Sequence, residues 1–403
     1  MVAWEKHYAA RARRMGASEI RELLKLIDRP EVISFAGGIP DPALFPVEAI
    51  AAAHARILGD PRRAAAALQY SPSEGYAPLR DWVAAYMGGL GVACGGEHIL
   101  ITSGAQQALD FIGKLFVSPG DRVLVARPTY LGALQALSAY EPIFDDLPRR
   151  GDNRREAGAG PRQALGYVMP DFQNPTGASL DRVEREELLA AAAALDLPLV
   201  EDAAYAALRY EGEEQPALVA LDAASHGGID ASRVLYCGTF SKTVAPGLRL
   251  GWVAAPREVV RQLVLIKQAS DLHSPSLAQM VLHEVVEEVM PAGLGAIRRA
   301  YRARRDAMLA ALAREMPPGV SWTRPTGGMF LWLTLPPGAD AAALLVRAIA
   351  EARVAFVPGR AFHADGSGAN TLRLNFTLAD EARIAEGVAR LGTLLRQMSG
   401  IAE

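Results

Sequence analysis

The sequence feature that most constrains the fold is a series of short apolar runs that alternate with helical patterns through the middle of the chain. Each run is bounded by Gly, Pro or Asp, as buried strands of a largely parallel sheet usually are. In chain order the runs read HILIT, RVLVA, YVMP, LPLVED, VLYCG and LGWVAAP. This alternation predicts an α/β fold with a mostly parallel sheet and helices on both of its faces.

The sequence divides into three predicted segments. Residues 1–45 contain a short helix, ASEIRELLKLI, and a Gly- and Pro-rich arm, SFAGGIPDPALFP. Residues 46–285 are the predicted large α/β domain. Residues 286–403 are a predicted smaller α+β domain, in which a long helical stretch precedes the strand signals GGMFLWLTL, VAFVPG and LRLNFT. The polar, Arg- and Gly-rich stretch at residues 149–163 is a predicted surface loop.

Composition argues against several kinds of partner. The chain has 403 residues, half of them hydrophobic, and a net charge of −3, so nucleic acid is not expected to bind. No apolar run is long enough to cross a membrane, and the charged first residues do not resemble a secretion signal. Cys94 and Cys237 stand far apart, which indicates neither a metal site nor a disulfide framework and fits a cytoplasmic location.

A lysine in the stretch GTFSKTVAPGLRLGW is the strongest single indication of chemistry. The chain has only five lysines among its 42 Lys and Arg residues, and Lys242 is one of them. A lysine that loses its proton attacks carbonyl carbons, whereas arginine stays protonated. Ser241 and Arg249 lie close in sequence and suit a phosphate group. Lys242 is therefore a candidate nucleophile that forms a Schiff base beside a phosphate.

Three further loops follow predicted strands. TSGAQQAL joins a strand to a helix, so Ser103 and Gln106 offer an anion seat, with an ordinary N-cap as the alternative. DFQNPTG is a turn by composition, and it is either only a turn or one that directs Asn174 toward a ligand at the carboxyl edge of the sheet. VEDAAY supplies Asp202 and Tyr205, which suit a protonated heteroaromatic nitrogen and a phenolate oxygen, although a lone Asp after a strand is also a common cap.

Taken together, these stretches resemble the fold-type I pyridoxal-phosphate aminotransferases of class I/II, and within them the 2-aminoadipate and kynurenine aminotransferase-like group. The resemblance extends almost from end to end. It is carried by SFAGGIPDPALFP, LQYSPSEGYAPLRDW, ITSGAQQALD, RPTYLGALQAL, PDFQNPTG, VEDAAY, GTFSKTVAPGLRLGW, DLHSPSLAQ, GGMFLW, FVPGRAF and LRLNF. It implies transfer of an amino group between an amino acid and a 2-oxo acid, with pyridoxal 5'-phosphate as the cofactor.

The resemblance also implies a role for each matching residue. Lys242 would carry the cofactor and move the reacting proton, Asp202 would pair with the pyridine nitrogen, and Arg373 would bind the substrate α-carboxylate. The other expected contacts are Tyr130 stacked on the ring, Asn174 and Tyr205 at the ring oxygen, Ser103, Ala105, Gln106, Ser241 and Arg249 at the phosphate, Gly38 beside the substrate, and Tyr70 reaching the phosphate from a neighbouring subunit. The last contact implies a homodimer with composite active sites.

Two departures from the group's pattern concern the substrate. Arg21 matches a position that can receive a distal carboxylate, but Glu19 stands two residues away, where the group usually has a small or uncharged residue. Glu19 is either a solvated helix-start carboxylate or a group that neutralises Arg21 or binds a cationic side chain. The shortened stretch at 149–163 also suggests a specialised pathway. The expected substrate is a long polar amino acid, either 2-aminoadipate- or glutamate-like, or a guanidino amino acid of the enduracididine or capreomycidine type.

Two other functions use the same sequence features. A lyase, decarboxylase or cyclase would keep the cofactor but would not yield a stoichiometric amino acid from pyruvate or 2-oxoglutarate. A non-enzymatic ligand sensor would need a DNA-binding module, and the first 20 residues are too few for a winged helix.

Overall fold

A computed structural model describes residues 2–9, 11–12, 31–148 and 161–398. Its centre is a 7-stranded sheet in the order β2-β8-β7-β6-β5-β3-β4. The strands of this sheet are β2 (Ile99–Thr102), β3 (Arg122–Val125), β4 (Ile143–Asp146), β5 (Gln163–Val168), β6 (Leu199–Asp202), β7 (Val234–Thr239) and β8 (Gly251–Ala254). β8 is antiparallel to both of its neighbours, and the other pairings are parallel.

Continuous burial explains why the central strands read as apolar runs. Every residue of β2, β6, β7 and β8 is buried, because helices cover both faces of the sheet. The described helices are α1 (Val47–Gly59), α2 (Pro61–Leu68), α3 (Ala77–Gly89), α4 (Ala105–Phe116), α5 (Leu131–Ser138), α6 (Arg182–Leu195), α7 (Leu218–His226), α8 (Arg257–Gln268), α9 (Ser276–Glu315), α10 (Ala341–Arg347) and α11 (Glu381–Met398). No described helix is both long and apolar enough to cross a membrane.

A second, 4-stranded sheet lies in the C-terminal part of the chain, in the order β12-β13-β10-β9. Its strands are β9 (Ser321–Trp322), β10 (Phe330–Thr334), β12 (Val357–Pro358) and β13 (Thr371–Asn375). The N-terminal arm joins this region through a parallel pair between β1 (Ile33–Ser34) and β11 (Val354–Ala355). The Gly-rich continuation of the arm therefore lies beside both sheets.

The structure confirms the predicted α/β class and most of the predicted strands, with two differences. β4 was not predicted, because it is a partly exposed edge strand with two aspartates rather than an apolar run. The predicted strand VAFVPG is two short strands, β11 and β12, that belong to different sheets. The predicted domain boundary at residues 285 and 286 falls within α9, and that division stays a prediction.

Candidate active site

The loops that follow the central strands form a cavity of about 340 Å³ at one edge of the 7-stranded sheet. Because β8 is antiparallel, Arg249 precedes it at the same edge where the parallel strands end. The cavity is lined by Gly38, Ala105, Gln106, Tyr130, Met169, Asn174, Asp202, Ala204, Tyr205, Thr239, Ser241, Lys242, Pro246, Arg249 and Arg373. Most of the predicted site residues are thus in one place.

A larger cavity of about 920 Å³ lies beside this one and shares Gly38, Gln106, Tyr130 and Arg373 with it. Apolar residues of the arm line part of the larger cavity, and its charged residues are Asp41, Arg304, Asp380, Arg383 and Arg373. The shared residues make the two cavities neighbouring parts of one site.

Lys242 follows β7 and points its ammonium into the smaller cavity. Its Nζ lies 2.9 Å from Gly38 O, which is its one hydrogen-bond acceptor among the described residues. Burial lowers the pKa of Lys242 to about 8, and the cations of Arg373 and Arg249 act in the same direction, while Asp202 opposes them. A neutral amine is therefore accessible to Lys242 near physiological pH.

Asp202 ends β6 and is almost fully buried. Its Oδ2 accepts a hydrogen bond from Tyr167 Oη at 2.7 Å, and its Oδ1 accepts one from Ala204 N at 3.1 Å. Burial raises the pKa of Asp202, whereas these two hydrogen bonds and the Lys242 cation lower it. Sequence reasoning missed Tyr167, although it stands in the apolar run YVMP, where a buried phenol needs a polar partner.

Arg373 of β13 connects the two sheets at the site. It is buried, its Nη1 donates to Asn174 Oδ1 at 2.7 Å, and its Nη2 donates to Ala36 O at 2.6 Å. Its guanidinium lies 4.2 Å from the ring centre of Phe330, and its Nε has no partner among the described residues. Burial lowers the pKa of Arg373 to about 10, so it stays a cation at neutral pH, and its Nε–H donor is still unused.

The start of α4 and the loop before β8 meet at the other end of the smaller cavity. Gly104 has a φ of +90°, and a Cβ on it would lie 2.6 Å from Arg249 Nη2, so glycine lets the guanidinium pack against the turn. Arg249 Nη2 also donates to Ser103 O at 3.3 Å. The Ser103 hydroxyl itself bonds to Ser274 and Asp271, at 3.1 and 3.3 Å, and Ser103 does not line the cavity.

The remaining predicted residues lie elsewhere. Tyr70 is 77% exposed and packs edge-on against His273, with ring centres 5.9 Å apart. Glu19, Arg21, the predicted helix ASEIRELLKLI and residues 149–160 of the predicted loop lie outside the described residues.

The donors of the smaller cavity fit the pyridoxal phosphate that the resemblance implies. The buried Asp202 suits a protonated pyridine nitrogen, and the hydroxyl of Tyr205, hydrogen-bonded to Asn174, suits the ring oxygen. The free end of α4, Ser241 and Arg249 together suit a phosphate. Lys242 lines the same cavity, and its lowered pKa makes available the neutral amine that attacks an aldehyde.

This fold and this set of donors define a fold-type I pyridoxal-phosphate enzyme. The family model for aminotransferase class I and II matches residues 30–145 and 161–391. The chain belongs to the class I and II aminotransferases, and its cofactor is pyridoxal phosphate.

Two relatives and one solved structure refine the comparison. The 2-aminoadipate transaminase of Thermus thermophilus is 45% identical over 400 residues, which cover 98% of each chain. The aromatic-amino-acid aminotransferase 1 of Thermococcus litoralis is 42% identical over 98% of this chain and 95% of the relative. The crystal structure of alpha-aminoadipate aminotransferase from Thermus thermophilus, complexed with N-(5'-phosphopyridoxyl)-L-leucine, matches with a TM-score of 0.89 at 43% identity and covers 100% of both chains.

Proposed function

We propose that this aminotransferase carries its cofactor on Lys242 and acts on a long polar amino acid by a ping-pong sequence. The observation that supports the assignment most directly is the position of Lys242. Its ammonium lies in the cavity that Asp202, Tyr205 and Arg373 also line, with a pKa of about 8. No other described lysine lines either cavity.

The residues around the cavity would hold the cofactor by its three polar ends. Asp202 would bind the pyridine nitrogen, and Asn174 and Tyr205 would bind the ring oxygen. Tyr130, which lines the cavity, would stack on the ring. Ala105 and Gln106 would offer backbone N–H groups to the phosphate, with Ser241 and Arg249 completing the seat. Ser103 would support this seat without touching the phosphate, because its hydroxyl bonds to Ser274 and Asp271.

Pyridoxal phosphate, when bound, supplies an aldehyde that takes up the amino group and a ring that withdraws electrons from the reacting carbon. Lys242 Nζ, as a free amine, would accept the proton from the substrate Cα and later deliver it. The pKa of about 8 suits both steps, because the amine then gains and loses a proton near neutral pH. Asp202 would pair as an anion with the ring nitrogen, and Tyr167 holds its carboxylate in place by a hydrogen bond.

Arg373 would orient the substrate by its α-carboxylate. Its unused donor and the rings of Phe330 and Phe362 around its guanidinium fix the direction of approach. The same anchor would serve the amino donor and the 2-oxo acid acceptor, so the two substrates would bind in turn. Gly38, shared by both cavities, would lie beside the bound amino acid.

The larger cavity supports a long polar substrate. It extends from Arg373 toward the Arg304–Asp41 ion pair, in which Nη2 and Oδ2 lie 2.7 Å apart. The relative from Thermus thermophilus is a 2-aminoadipate transaminase, which favours a distal carboxylate received by Arg21. The alternative is a cationic guanidino amino acid that binds Glu19.

Two variants separate these substrates. If Arg21 binds the distal group, Arg21→Ala should lower kcat/KM for glutamate and 2-aminoadipate by about 10- to 100-fold, while Glu19→Gln has little effect. If Glu19 binds a cation, Glu19→Gln should lower kcat/KM for arginine-like substrates by a similar factor and spare neutral ones. If Glu19→Gln left kcat/KM unchanged for every substrate, the guanidino hypothesis would be wrong.

We also propose a cytoplasmic homodimer in which Tyr70 serves the neighbouring subunit's site. Tyr70 and Leu68 are 77% and 72% exposed, and large exposed apolar groups of this kind mark interaction surfaces. Cys94 and Cys237 are free thiols, as a reducing compartment maintains them. Mixing inactive Lys242→Ala chains with Tyr70→Phe chains should restore activity through one intact site, and an active monomer in sedimentation would refute the dimer.

Covalent labelling tests the central assignment. Borohydride reduction of the enzyme with bound cofactor, followed by peptide mass mapping, should place the pyridoxyl group on Lys242. A pyridoxyl group on Lys267 or Lys114 instead would overturn the proposal.

A further inference from the structure

A second buried lysine, Lys267 near the end of α8, has no part in the function proposed above. Its side chain is fully buried. Its Nζ lies 3.0 Å from Gln107 Oε1, 3.0 Å from Ser274 Oγ, and 3.0 and 3.1 Å from the two carboxylate oxygens of Asp271. An ammonium has three N–H donors, and these three partners account for all of them. Such a complete set of contacts indicates a fixed position.

Lys267 determines which way the Gln107 amide faces. A lysine can only donate, so Gln107 must turn its oxygen toward Nζ. The amide nitrogen then donates to Asp271 Oδ2 at 2.7 Å. In this orientation the same Gln107 oxygen also accepts a hydrogen bond from Ser103 N at 2.8 Å. The Gln107 side chain therefore links Lys267 to the backbone of Ser103.

The N–H, the carbonyl and the hydroxyl of Ser103 all make hydrogen bonds in this arrangement. Gln107 holds its N–H, Arg249 Nη2 donates to its carbonyl at 3.3 Å, and its hydroxyl bonds to Asp271 and Ser274. Ser103 immediately precedes Gly104 and the first residues of α4, which line the smaller cavity. Because the Ser103 N–H is already engaged, the N–H groups that remain for an anion belong to the first turn of α4.

We propose that Lys267 is a positioning residue for the cofactor's phosphate. Through Gln107 and Asp271 it fixes the turn at residues 103–105, so that the start of α4 and Arg249 face the phosphate at a constant distance. This inference rests on the proposed role of that turn as the phosphate seat. It makes a specific statement about affinity: loss of Lys267 should weaken binding of ligands with a phosphate more than binding of the same ring without one.

Binding to the full-length apoenzyme tests the statement. The dissociation constants of pyridoxal phosphate and of pyridoxal are measured by absorbance for the unmodified chain and for Lys267→Met, which keeps length but removes the charge. We expect Lys267→Met to bind pyridoxal phosphate about tenfold more weakly, with pyridoxal changed by less than about twofold. Inorganic phosphate should compete with pyridoxal phosphate more weakly in the variant. Lys114→Met, an exposed lysine on α4, is the matched control and should change neither constant.

Gln107→Met is the second variant, because it keeps the Lys267–Asp271 pair but removes the link to Ser103. The same selective loss is expected, and this variant carries the test if Lys267→Met does not fold. Equal weakening of both ligands, or unchanged binding of pyridoxal phosphate in Gln107→Met, would overturn the inference. Failure of the unmodified chain to take up pyridoxal phosphate on Lys242 would instead overturn the proposed function, so the two failures are distinguishable.

Discussion

Lys242 and Lys267 are two buried lysines whose surroundings differ, and the difference separates a chemical role from a structural one. Lys242 Nζ has one acceptor among the described residues, Gly38 O, and its pKa is about 8. Lys267 Nζ has Gln107, Asp271 and Ser274 around it. Burial lowers the pKa of both lysines, but at Lys267 the hydrogen bond and the charge of Asp271 oppose that shift, whereas at Lys242 the Arg373 and Arg249 cations add to it. Burial alone therefore does not make a lysine reactive.

The carboxylates beside the two lysines show the same contrast. Asp271 Oδ1 lies 3.0 Å from Lys267 Nζ, and hydrogen bonds from Gln107 and Lys267 hold the pKa of Asp271 below its ordinary value despite burial. Asp202 accepts hydrogen bonds from Tyr167 and Ala204, and among the described residues no hydrogen bond or ion pair joins it to Lys242. Asp202 therefore acts on Lys242 only as a nearby charge, which opposes the lowering of the Lys242 pKa by burial.

The largest difference is expected in catalysis. Lys242→Ala should lower kcat by about 10⁴-fold or more, because it removes both the attachment point and the proton-transferring group. Steady-state transamination between 2-aminoadipate and 2-oxoglutarate measures the effect. Lys114→Ala, at an exposed position, should retain kcat within about twofold under the same conditions. A Lys242→Ala enzyme within a hundredfold of normal kcat would contradict the comparison.

Stability of the apoenzyme should change in opposite directions when each lysine becomes methionine. Lys242→Met should raise the free energy of unfolding below pH 8 by up to about 3 kcal/mol, because it removes a cation whose pKa falls from 10.5 to about 8 on folding. Lys267→Met should lower it by about 2 to 4 kcal/mol, less than for a fully buried pair because the Asp271 side chain is 30% exposed.

The effect of Lys242→Met on the free energy of unfolding should depend on pH. Between about pH 8 and 10.5 the unfolded chain binds more protons at this lysine than the folded chain does, so stability from this group rises with pH. The advantage of Lys242→Met should therefore shrink across that range. Denaturant titrations of the apo proteins at pH 7 and pH 10 measure it. Destabilisation at pH 7 by Lys242→Met would show that its burial has a compensating partner.

Tyr167→Phe should weaken pyridoxal phosphate binding by about 10- to 100-fold, because it removes a hydrogen bond to the Asp202 anion. Loss of that bond also raises the pKa of Asp202 further, which weakens its pairing with a protonated ring nitrogen. The matched control is Tyr140→Phe, which removes a similar bond to Asp110 (2.9 Å) away from both cavities. Equal affinities of the two variants for the cofactor would show that Tyr167 does not contribute to cofactor binding.

The sequence was sufficient to predict the α/β class and several polar residues of the smaller cavity, because strand ends and turn residues leave local signals. Lys242, Asn174 and Asp202 each follow a recognisable apolar run or turn. The supporting residues leave no such signal. Gln107 and Lys267 are 160 positions apart, and only the packing of α8 beside α4 makes them neighbours.

Two details of the fold also could not be predicted from the local sequence pattern. β4 has aspartates at an exposed edge, where no buried face enforces an apolar run. The chain from Val354 to Pro358 divides its pairing between β1 and β13, because the arm from the N-terminus occupies one side of it. Both outcomes depend on partners far away in sequence, and the position of Arg373 beside the cavity depends on the second sheet in the same way.

The smallest expected effect concerns how the apoenzyme takes up its cofactor at different pH. Only the neutral amine of Lys242 attacks an aldehyde, and with a pKa of about 8 its neutral fraction rises about tenfold between pH 7 and pH 9. The rate of pyridoxal phosphate uptake, followed by absorbance in stopped flow, should rise with it. Arg373→Gln should raise the pH at which the uptake rate is half-maximal, because the Arg373 cation helps to lower the pKa of Lys242. Lys267→Met should leave this midpoint pH unchanged. A pH-independent rate, or a midpoint that moves with Lys267 instead, would show that the two lysines are not separated in the way their contacts indicate.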